Sequence, residues 1–288
     1  MVEKEALLQV YKESPLYSKL GIEYQHAYSG IYEPLDFEGV IAALKEGRVS
    51  GYGRPMVGDL SNEEMQRLYD ISPNIWYMDF LDGDLTNASK WLLGKGFQPQ
   101  IQFTQIIDLT KEPLNLHGEI RKSYKSLINK GKRELDIKIT EDPLLLSQFH
   151  ALHRQVSGRE TRSHKTWDIQ AEMLKQKEAF LVCGFFDKYL LAGDFFIYNE
   201  HCCYYGVSAS AGREQDIIHP EVSGQFKFPL NTHALIWRAI MHAKELGCKR
   251  LEMGEQLFCG NEKLVDISMF KRGFGGQTRA RLVFKNYE

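Results

Sequence analysis

The 288-residue sequence lacks the features that define several specialised classes of protein. It has 9 prolines and 5 cysteines, and no cysteine pair has CxxC spacing, so we expect no disulfide framework and no zinc ribbon. No apolar run approaches the roughly 20 residues of a membrane span, and Glu3, Lys4 and Glu5 interrupt the amino terminus, so we predict neither a span nor a signal peptide. The cysteines lie mostly in apolar segments, which is typical of buried thiols in a reducing compartment. A cytoplasmic globular protein is expected.

No excess of either charge is present, since the formal net charge is −2. The chain as a whole is therefore not expected to bind polyanions. The charge is unevenly spread, because residues 1–100 carry nine Lys/Arg against fifteen Asp/Glu. Positive charge is concentrated in two later runs: Arg121, Lys122, Lys125, Lys130, Lys132 and Arg133, and then Lys271, Arg272, Arg279, Arg281 and Lys285.

Several familiar catalytic motifs are also missing. The sequence has no GxxxxGK[ST], GxSxG or HExxH motif, and no GxGxxG after a strand. His150 and His153 lie three apart on a predicted helix, but no carboxylate or cysteine follows at ligand spacing, so no metal site is predicted. His201 precedes Cys202 in a predicted strand, where neighbouring side chains point to opposite faces, so it is not placed to activate that thiol.

Residues 1–110 read as a mixed α/β unit. We predict a helix near Glu63–Ile71, a strand at Asn74–Phe80, a helix near Asn87–Leu93 and a strand-like run at Gln100–Leu109. Lys111, Glu112 and Pro113 interrupt this pattern. We therefore predict two domains, residues 1–112 and residues 113–288.

The second part of the chain has stronger periodicity. Asp142 and Pro143 begin a helix that Gly158 ends. We also predict helices at Glu119–Lys130, Thr166–Lys177 and Thr232–Leu246, and strands at Ala179–Phe186, Leu190–Tyr198, His201–Ser208, Lys249–Met253 and Arg279–Phe284. This order predicts a mixed α/β sheet that starts as an antiparallel meander and gains a parallel neighbour after the long helix.

Two segments carry residues suited to chemistry. In Met269–Gly276, the structural interpretation is a glycine-rich hairpin turn with its aromatic residues packed inside. The functional interpretation is that the glycines let the backbone approach a ligand, while Lys271 and Arg272 supply charge for a phosphate or an oxyanion. In the other segment, Tyr205–Ser208 precedes a helix that starts near Asn231 and Thr232, and a helix amino terminus can bind the phosphate of a donor.

These segments together resemble the FemAB-like branch of the GNAT acyltransferases. The resemblance rests on the basic helix with Arg121, Lys122 and Tyr124, on Tyr205-Gly206-Val207-Ser208, on Leu235–Ile240, on Glu252-Met253-Gly254-Glu255 and on Phe270-Lys271-Arg272-Gly273-Phe274-Gly275-Gly276. It is clearest over residues 119–285. It implies tandem GNAT-like domains, the first of them degenerate.

The resemblance also implies an activity. Family members transfer an acyl or aminoacyl group from acyl-CoA or aminoacyl-tRNA to an amine, often on a peptidoglycan or surface-polysaccharide precursor. Phe270 and Lys271 match the family's pair near the reactive end of the donor. We expect no bound cofactor, an amine-bearing precursor as acceptor, and tRNA as a partner if it carries the donor. The chain lacks both the coiled-coil arm of some bridge-forming enzymes and the Q/RxxGxG/A loop of CoA-binding enzymes, so both donors stay open.

A mechanism follows from these expectations. In a GNAT-like sheet the third meander strand and the next strand splay apart, and backbone N–H groups near Gly206, Val207 and Ser208, with Lys271, would stabilise the oxyanion. The first candidate for the general base is Glu255, followed by His233 and Tyr205. The structural alternative is that these three side chains serve a turn, a polar helix face and the core. The predicted donor-binding residues are Phe270, Gly206, Val207, Ser208, Asn231, Thr232, His233, Arg121, Lys122 and Lys125.

A second functional class is a noncatalytic module that binds RNA or a nucleotide. The contacts would come from Arg121, Lys122, Lys125 and Lys132. The near-neutral net charge and the scarcity of aromatic residues on that helix favour the enzyme.

Overall fold

The computed structural model describes residues 15, 18–29, 33–37, 40–45, 48–50, 60–71, 74–80, 85–211 and 232–285. The helices in these residues are α1 (Lys19–Ser29), α2 (Asn62–Ile71), α3 (Asn87–Gly94), α4 (Pro113–Glu119), α5 (Lys122–Glu134), α6 (Pro143–Ser157), α7 (His164–Lys175), α8 (His233–Glu245) and α9 (Glu262–Arg272). The strands are β1 (Glu33–Phe37), β2 (Val40–Lys45), β3 (Arg48–Ser50), β4 (Asn74–Phe80), β5 (Gln98–Asp108), β6 (Asp136–Thr140), β7 (Ala179–Phe186), β8 (Tyr189–Tyr198), β9 (Cys202–Ser210), β10 (Arg250–Gln256) and β11 (Gln277–Lys285).

These strands form one mixed sheet in the order β1-β2-β3-β4-β11-β5-β10-β9-β8-β7-β6. The mixed α/β class predicted from the sequence is confirmed. The carboxy-terminal strand β11 lies between β4 and β5, and β5 also pairs with β10. The sheet therefore crosses the predicted boundary at residues 112 and 113. The division into domains and the degenerate first copy both stay predictions.

The predicted meander and its parallel neighbour are confirmed. Strands β7, β8 and β9 pair antiparallel in sequence order, while β10 pairs parallel with β9. The parallel pairing requires a crossover, which α8 supplies. Both ends of α6 are also as predicted. The Asp142 carboxylate accepts a hydrogen bond from the Leu144 N–H at 2.9 Å, and Gly158 ends the helix with a left-handed φ of 68°.

Two hydrophobic cores cover opposite faces of the meander. Phe196 belongs to the first core, and its strand neighbours Phe195 and Ile197 belong to the second, because successive strand residues alternate between faces. Helices α5 and α8 cover the first face, and α6 and α7 cover the second. The candidate site lies on the first face.

The hairpin-turn interpretation of Met269–Gly276 is wrong. Residues 269–272 complete helix α9, and only the glycine-rich remainder forms the connection to β11. The Asn261 side chain caps this helix by accepting a hydrogen bond from the Leu264 N–H. Sequence periodicity missed α9 because Ser268 is its only fully buried residue, so the helix has no apolar stripe to recognise.

Candidate active site

Strands β9 and β10 separate part of the way along their length. Their parallel pairing joins Cys202–Tyr204 to Arg250–Glu252, and within the described residues it ends there. Beyond it the register of β10 with β5 shifts between Glu252 and Glu255, and Gly254 takes a left-handed φ of 77°. This irregularity turns β10 away from β9. The pairing thus ends part of the way along the strands, as the resemblance implies, and we call the region between residues 205–208 of β9 and 253–256 of β10 the wedge.

A bulge shapes the β9 side of the wedge. Phe195 pairs with Val207 and Phe196 pairs with Tyr205, so Gly206 is the extra residue on β9. A Cβ at Gly206 would lie 3.1 Å from the Phe195 carbonyl oxygen, which favours glycine there. The Val207 side chain is buried in the second core and that of Ser208 is exposed, so any contribution of these residues to donor binding would come from the backbone or the serine hydroxyl.

Lys271 extends from the last turn of α9 into the wedge. Its Nζ lies 5.9 Å from the centre of the Tyr205 ring. A Cβ built on Gly254 would lie 3.4 Å from Lys271 Nζ and 3.3 Å from the Tyr204 hydroxyl, so both side chains converge on this glycine. Burial lowers the pKa of Lys271 to about 8, against the opposing effect of the nearby Glu255 and Glu252 carboxylates.

The two nearby glutamates differ in their surroundings. Glu252 is 3% exposed, accepts a hydrogen bond from the Thr104 hydroxyl at 3.0 Å and lies 3.8 Å from Arg281 Nη1. Glu255 is exposed on β10, in register with Thr104. Because Glu252 already has buried partners, Glu255 is the carboxylate beside Lys271 that solvent or a substrate amine can reach.

The structure adds a carboxylate that sequence reasoning missed. Asp194 lies in the middle of β8 and is 1% exposed, and its Oδ1 accepts a hydrogen bond from the Tyr205 hydroxyl at 3.3 Å. Burial raises the pKa of Asp194 to about 7, although hydrogen bonding from Ser208 and Tyr205 acts in the opposite direction. The available signal was the presence of one aspartate inside an otherwise apolar strand.

An aromatic cluster forms around Phe270, the residue before Lys271. The Tyr124 ring lies 4.3 Å from the His233 ring and 5.3 Å from the Phe274 ring, and Phe270 lies 5.2 Å from both His233 and Phe274. Burial lowers the pKa of His233 to about 4. His233 is therefore a neutral member of a packed cluster at physiological pH, and Phe270, the residue before Lys271, anchors the end of α9 in this cluster.

This environment makes stability depend on pH. The folded-state pKa of His233 lies below its usual value of 6.5, so between about 4 and 6.5 the unfolded chain binds the additional proton. Between pH 6.5 and 4.5, we expect the free energy of unfolding of the wild type to fall by about 1–2 kcal/mol more than that of His233→Phe. Urea titrations of both proteins across this range measure the difference, and identical pH slopes would contradict the assignment.

The glycines after Lys271 are packed against protein. A Cβ at Gly273 would lie 2.1 Å from the Tyr124 ring, one at Gly275 would lie 2.8 Å from Glu119 Cβ, and one at Gly276 would lie 2.2 Å from the Ile106 carbonyl oxygen. The space that these glycines leave at their Cβ positions is therefore occupied by protein, and the close approach of their backbone to a ligand stays a prediction. They let α9 lie against the start of α5 and let the chain enter the sheet beside β5.

The remaining predicted binding residues lie around α5 and the start of α8. Arg121 precedes α5, where its N–H donates to the Gly273 carbonyl at 2.9 Å, and Lys122 is exposed. Lys125 Nζ donates to the Gly118 carbonyl at 3.2 Å. Thr232 is the N-cap residue of α8 and makes no side-chain cap bond, while Asn231 lies outside the described residues.

Among the described residues, neither the buried cysteines nor the metal-ligating side chains form a reactive centre. Burial raises the pKa of both Cys183 and Cys202 to about 12, so these thiols are protonated at neutral pH, and only Cys259 among the five cysteines is exposed. In the part of the chain that the structure describes, no three His, Cys, Asp or Glu side chains are grouped as metal ligands. No helix of that part has the length and apolar character needed to cross a membrane.

Comparison with solved structures identifies proteins of the same fold. The chain is similar to FemX, with a TM-score of 0.66 at 15% identity over 99% of this chain and 96% of that one. It is also similar to the carboxy-terminal domain of a putative lysylphosphatidylglycerol synthetase from Agrobacterium fabrum (TM-score 0.61, 11% identity, 99% and 91% covered). L-PGS from Bacillus licheniformis has the same TM-score of 0.61, at 14% identity and the same coverage.

No protein-family model matches the chain, and no curated protein sequence matches it. At these identities the likeness shows the fold alone. At that level the resemblance to the FemAB-like branch is confirmed, since the chain shares its fold with FemX and with L-PGS.

Proposed function

We propose that this protein is an N-acyltransferase that moves an acyl or aminoacyl group from acyl-CoA or aminoacyl-tRNA to an amine. The observation that carries the proposal is the entry of the Lys271 ammonium group into the wedge at Gly254, where β9 and β10 no longer pair. Its fold, shared with FemX and two lysylphosphatidylglycerol synthetases, supports the same class of reaction. A cell-wall or surface-sugar precursor is the proposed acceptor.

The wedge supplies the groups that acyl transfer needs. Glu255 takes a proton from the acceptor ammonium group, and the resulting amine attacks the donor carbonyl carbon. The oxyanion is stabilised by Lys271 Nζ and by backbone N–H groups of residues 206–208. The carbon–nitrogen bond forms, the bond from carbon to sulfur or to the ribose oxygen breaks, and the thiol or hydroxyl leaves with the second proton of the attacking nitrogen. Most of the rate comes from positioning and from electrostatic stabilisation.

The experiment that tests this function presents both donor classes to the purified protein with a panel of amines. Transfer from acyl-CoA releases a free thiol, and transfer from aminoacyl-tRNA removes the ester-linked amino acid from the tRNA. We expect amine-dependent release from one donor class, with the new amide detected by mass spectrometry. Absence of amide product with both classes, across peptide, sugar and small-molecule amines, would contradict the proposal.

The exposed cations around the start of α5 favour RNA binding as the second candidate function. Arg121 and Lys122 are exposed and lie on the same side of the sheet as the wedge, at the start of a helix that packs on α8. If RNA lies there, each phosphate contact contributes to the salt dependence of binding. This feature suits a tRNA-borne donor as well as a noncatalytic module.

Charge reversal of the basic group tests this surface. We expect the Arg121→Glu/Lys122→Glu/Lys125→Glu variant to weaken tRNA binding, and the slope of log affinity against log salt to fall by about 2. Filter binding between 50 and 300 mM salt measures both quantities, with Lys175→Glu on the distant helix α7 as the control. RNA binding with no transfer would favour the noncatalytic module, and unchanged affinity would remove RNA from this surface.

A further inference from the structure

We propose that Asp194 is a positioning residue that acts through Tyr205, accepting the second proton of the attacking nitrogen and returning it to the leaving group. The inference rests on the transferase activity proposed above and names a proton route within the same site. Acyl transfer to an ammonium group requires two proton movements. Glu255 serves the first, and no group described so far serves the second.

The surroundings of Asp194 do not resemble those of a structural carboxylate. A buried carboxylate that serves stability alone is normally paired with a cation. The Asp194 side chain instead meets hydroxyl groups, since Tyr205 donates to its Oδ1 and Ser208 lies opposite in register on β9. Its Oδ2 has no hydrogen-bond partner within the described residues. A buried acid whose described hydrogen-bond donors are neutral hydroxyl groups can exchange a proton.

Tyr205 connects this acid to the wedge. Its ring packs on Phe196 at 5.2 Å and lies 5.9 Å from Lys271 Nζ, so one side chain meets both the core and the proposed reaction centre. The Tyr205 hydroxyl donates its proton to Asp194, so in the proposed route the hydroxyl oxygen is the atom that accepts a proton from the wedge. The tyrosine is thus placed to pass a proton on without becoming a phenolate.

The proton transfers balance without any additional reactant. After attack, one N–H bond of the tetrahedral intermediate breaks and a new O–H bond forms at Tyr205 Oη, while the original hydroxyl proton moves to Asp194 Oδ1. Tyr205 remains neutral and Asp194 becomes protonated. As the bond to the leaving group breaks, the proton returns through Tyr205 to the leaving sulfur or oxygen, which restores the carboxylate.

The neighbouring groups allow this exchange near neutral pH. Burial raises the pKa of Asp194 to about 7, and burial raises that of Tyr205 well above its usual range. Ser208 and Tyr205 from β9 face Asp194, with Lys271 from α9 beyond the tyrosine ring. On β7, the apolar Val182 pairs with Asp194, and the Cys183 side chain lies in the second core on the other face. The pKa of Cys183 is about 12, so this thiol does not compete for the proton.

The first test needs no substrate. In protein labelled with [13Cζ]tyrosine, we expect the Tyr205 resonance, identified by its loss in Tyr205→Phe, to shift with pH around a midpoint near 7. The shift should vanish in Asp194→Asn, which has the same shape and does not titrate. A wild-type Tyr205 resonance that is constant between pH 5 and 9 would overturn the proposal, whatever the protein's activity.

The second test uses the donor and amine found in the transfer assay. We expect Asp194→Asn to lower kcat by about 10²-fold, to leave the donor KM within twofold and to abolish the rise of kcat with pH around 7. Tyr205→Phe should produce the same loss and confirms the route if Asp194→Asn does not fold. Cys183→Ser, a buried change on the opposite face of the neighbouring strand β7, should retain the wild-type pH profile.

The outcomes separate this inference from the proposed function. If no donor supports transfer, the function is rejected and the tyrosine titration still decides whether Asp194 and Tyr205 are coupled. If transfer occurs and Asp194→Asn keeps the wild-type kcat and pH profile, the proton route is wrong and the function stands.

Discussion

Lys271→Met lowers turnover by about 10²- to 10³-fold, the usual cost of removing one group that stabilises an oxyanion. Methionine retains the apolar stem and removes the ammonium group, which lies 5.9 Å from the Tyr205 ring in the wedge. Because the charge develops only in the transition state, we expect the donor KM to change little. Steady-state kinetics with the donor identified by the transfer assay measure both parameters.

The stability of this variant separates catalysis from folding. Burial lowers the pKa of Lys271, so the folded protein bears a cost for the charged form at pH 7. We therefore expect the free energy of unfolding of Lys271→Met to equal or exceed that of the wild type. Lys263→Met, on the exposed first turn of the same helix, is the matched control and should retain turnover. Full activity of Lys271→Met would remove this lysine from the mechanism.

Gly276→Ala is expected to lower the free energy of unfolding by about 3 kcal/mol or more. Two costs combine, because the residue has a left-handed φ of 81° and an alanine Cβ would lie 2.2 Å from the Ile106 carbonyl oxygen. That oxygen belongs to β5, whose backbone is held by both β10 and β11 and has little freedom to move. Chemical denaturation measures the loss.

Two other glycines isolate these costs. Gly247 has a φ of 88° with no atom within 4 Å of the Cβ position, so Gly247→Ala should cost about 1–2 kcal/mol from the backbone conformation alone. Gly94 has an open Cβ position and no left-handed φ, so Gly94→Ala should be neutral or stabilising by about 0.5–1 kcal/mol. If Gly276→Ala costs no more than Gly247→Ala, the tight contact with β5 does not exist.

Local signals predicted the second part of the fold well. The meander, the crossover helix and the cap at Asp142 depend on apolar periodicity and on residues a few positions apart, which a sequence displays directly. The insertion of β11 between β4 and β5 depends on pairing between residues that are 171 to 209 positions apart in the sequence. No local pattern specifies such a partner.

In the candidate site, too, local motifs were predictable from the sequence and contacts formed only in the folded sheet were not. Lys271 was selected through its motif, and the structure brings it together with Tyr205 and Glu255. Asp194 was missed because its importance comes from burial and from a cross-strand hydroxyl, which are properties of the folded sheet. For the glycines of the motif, sequence alone does not distinguish space for a ligand from the close packing against Tyr124 that the structure shows.

The central claim is that the donor carbonyl lies in the wedge beside Lys271, and a crystal structure with a non-transferable donor analogue tests it most directly. An amide-linked aminoacyl-adenosine and an acyl-CoA with a non-cleavable linkage represent the two donor classes. We expect the carbonyl oxygen of one of them within about 3 Å of Lys271 Nζ or of a backbone N–H in residues 206–208. A bound analogue whose carbonyl lies elsewhere, or strands β9 and β10 paired past Tyr204 and Glu252, would contradict the account.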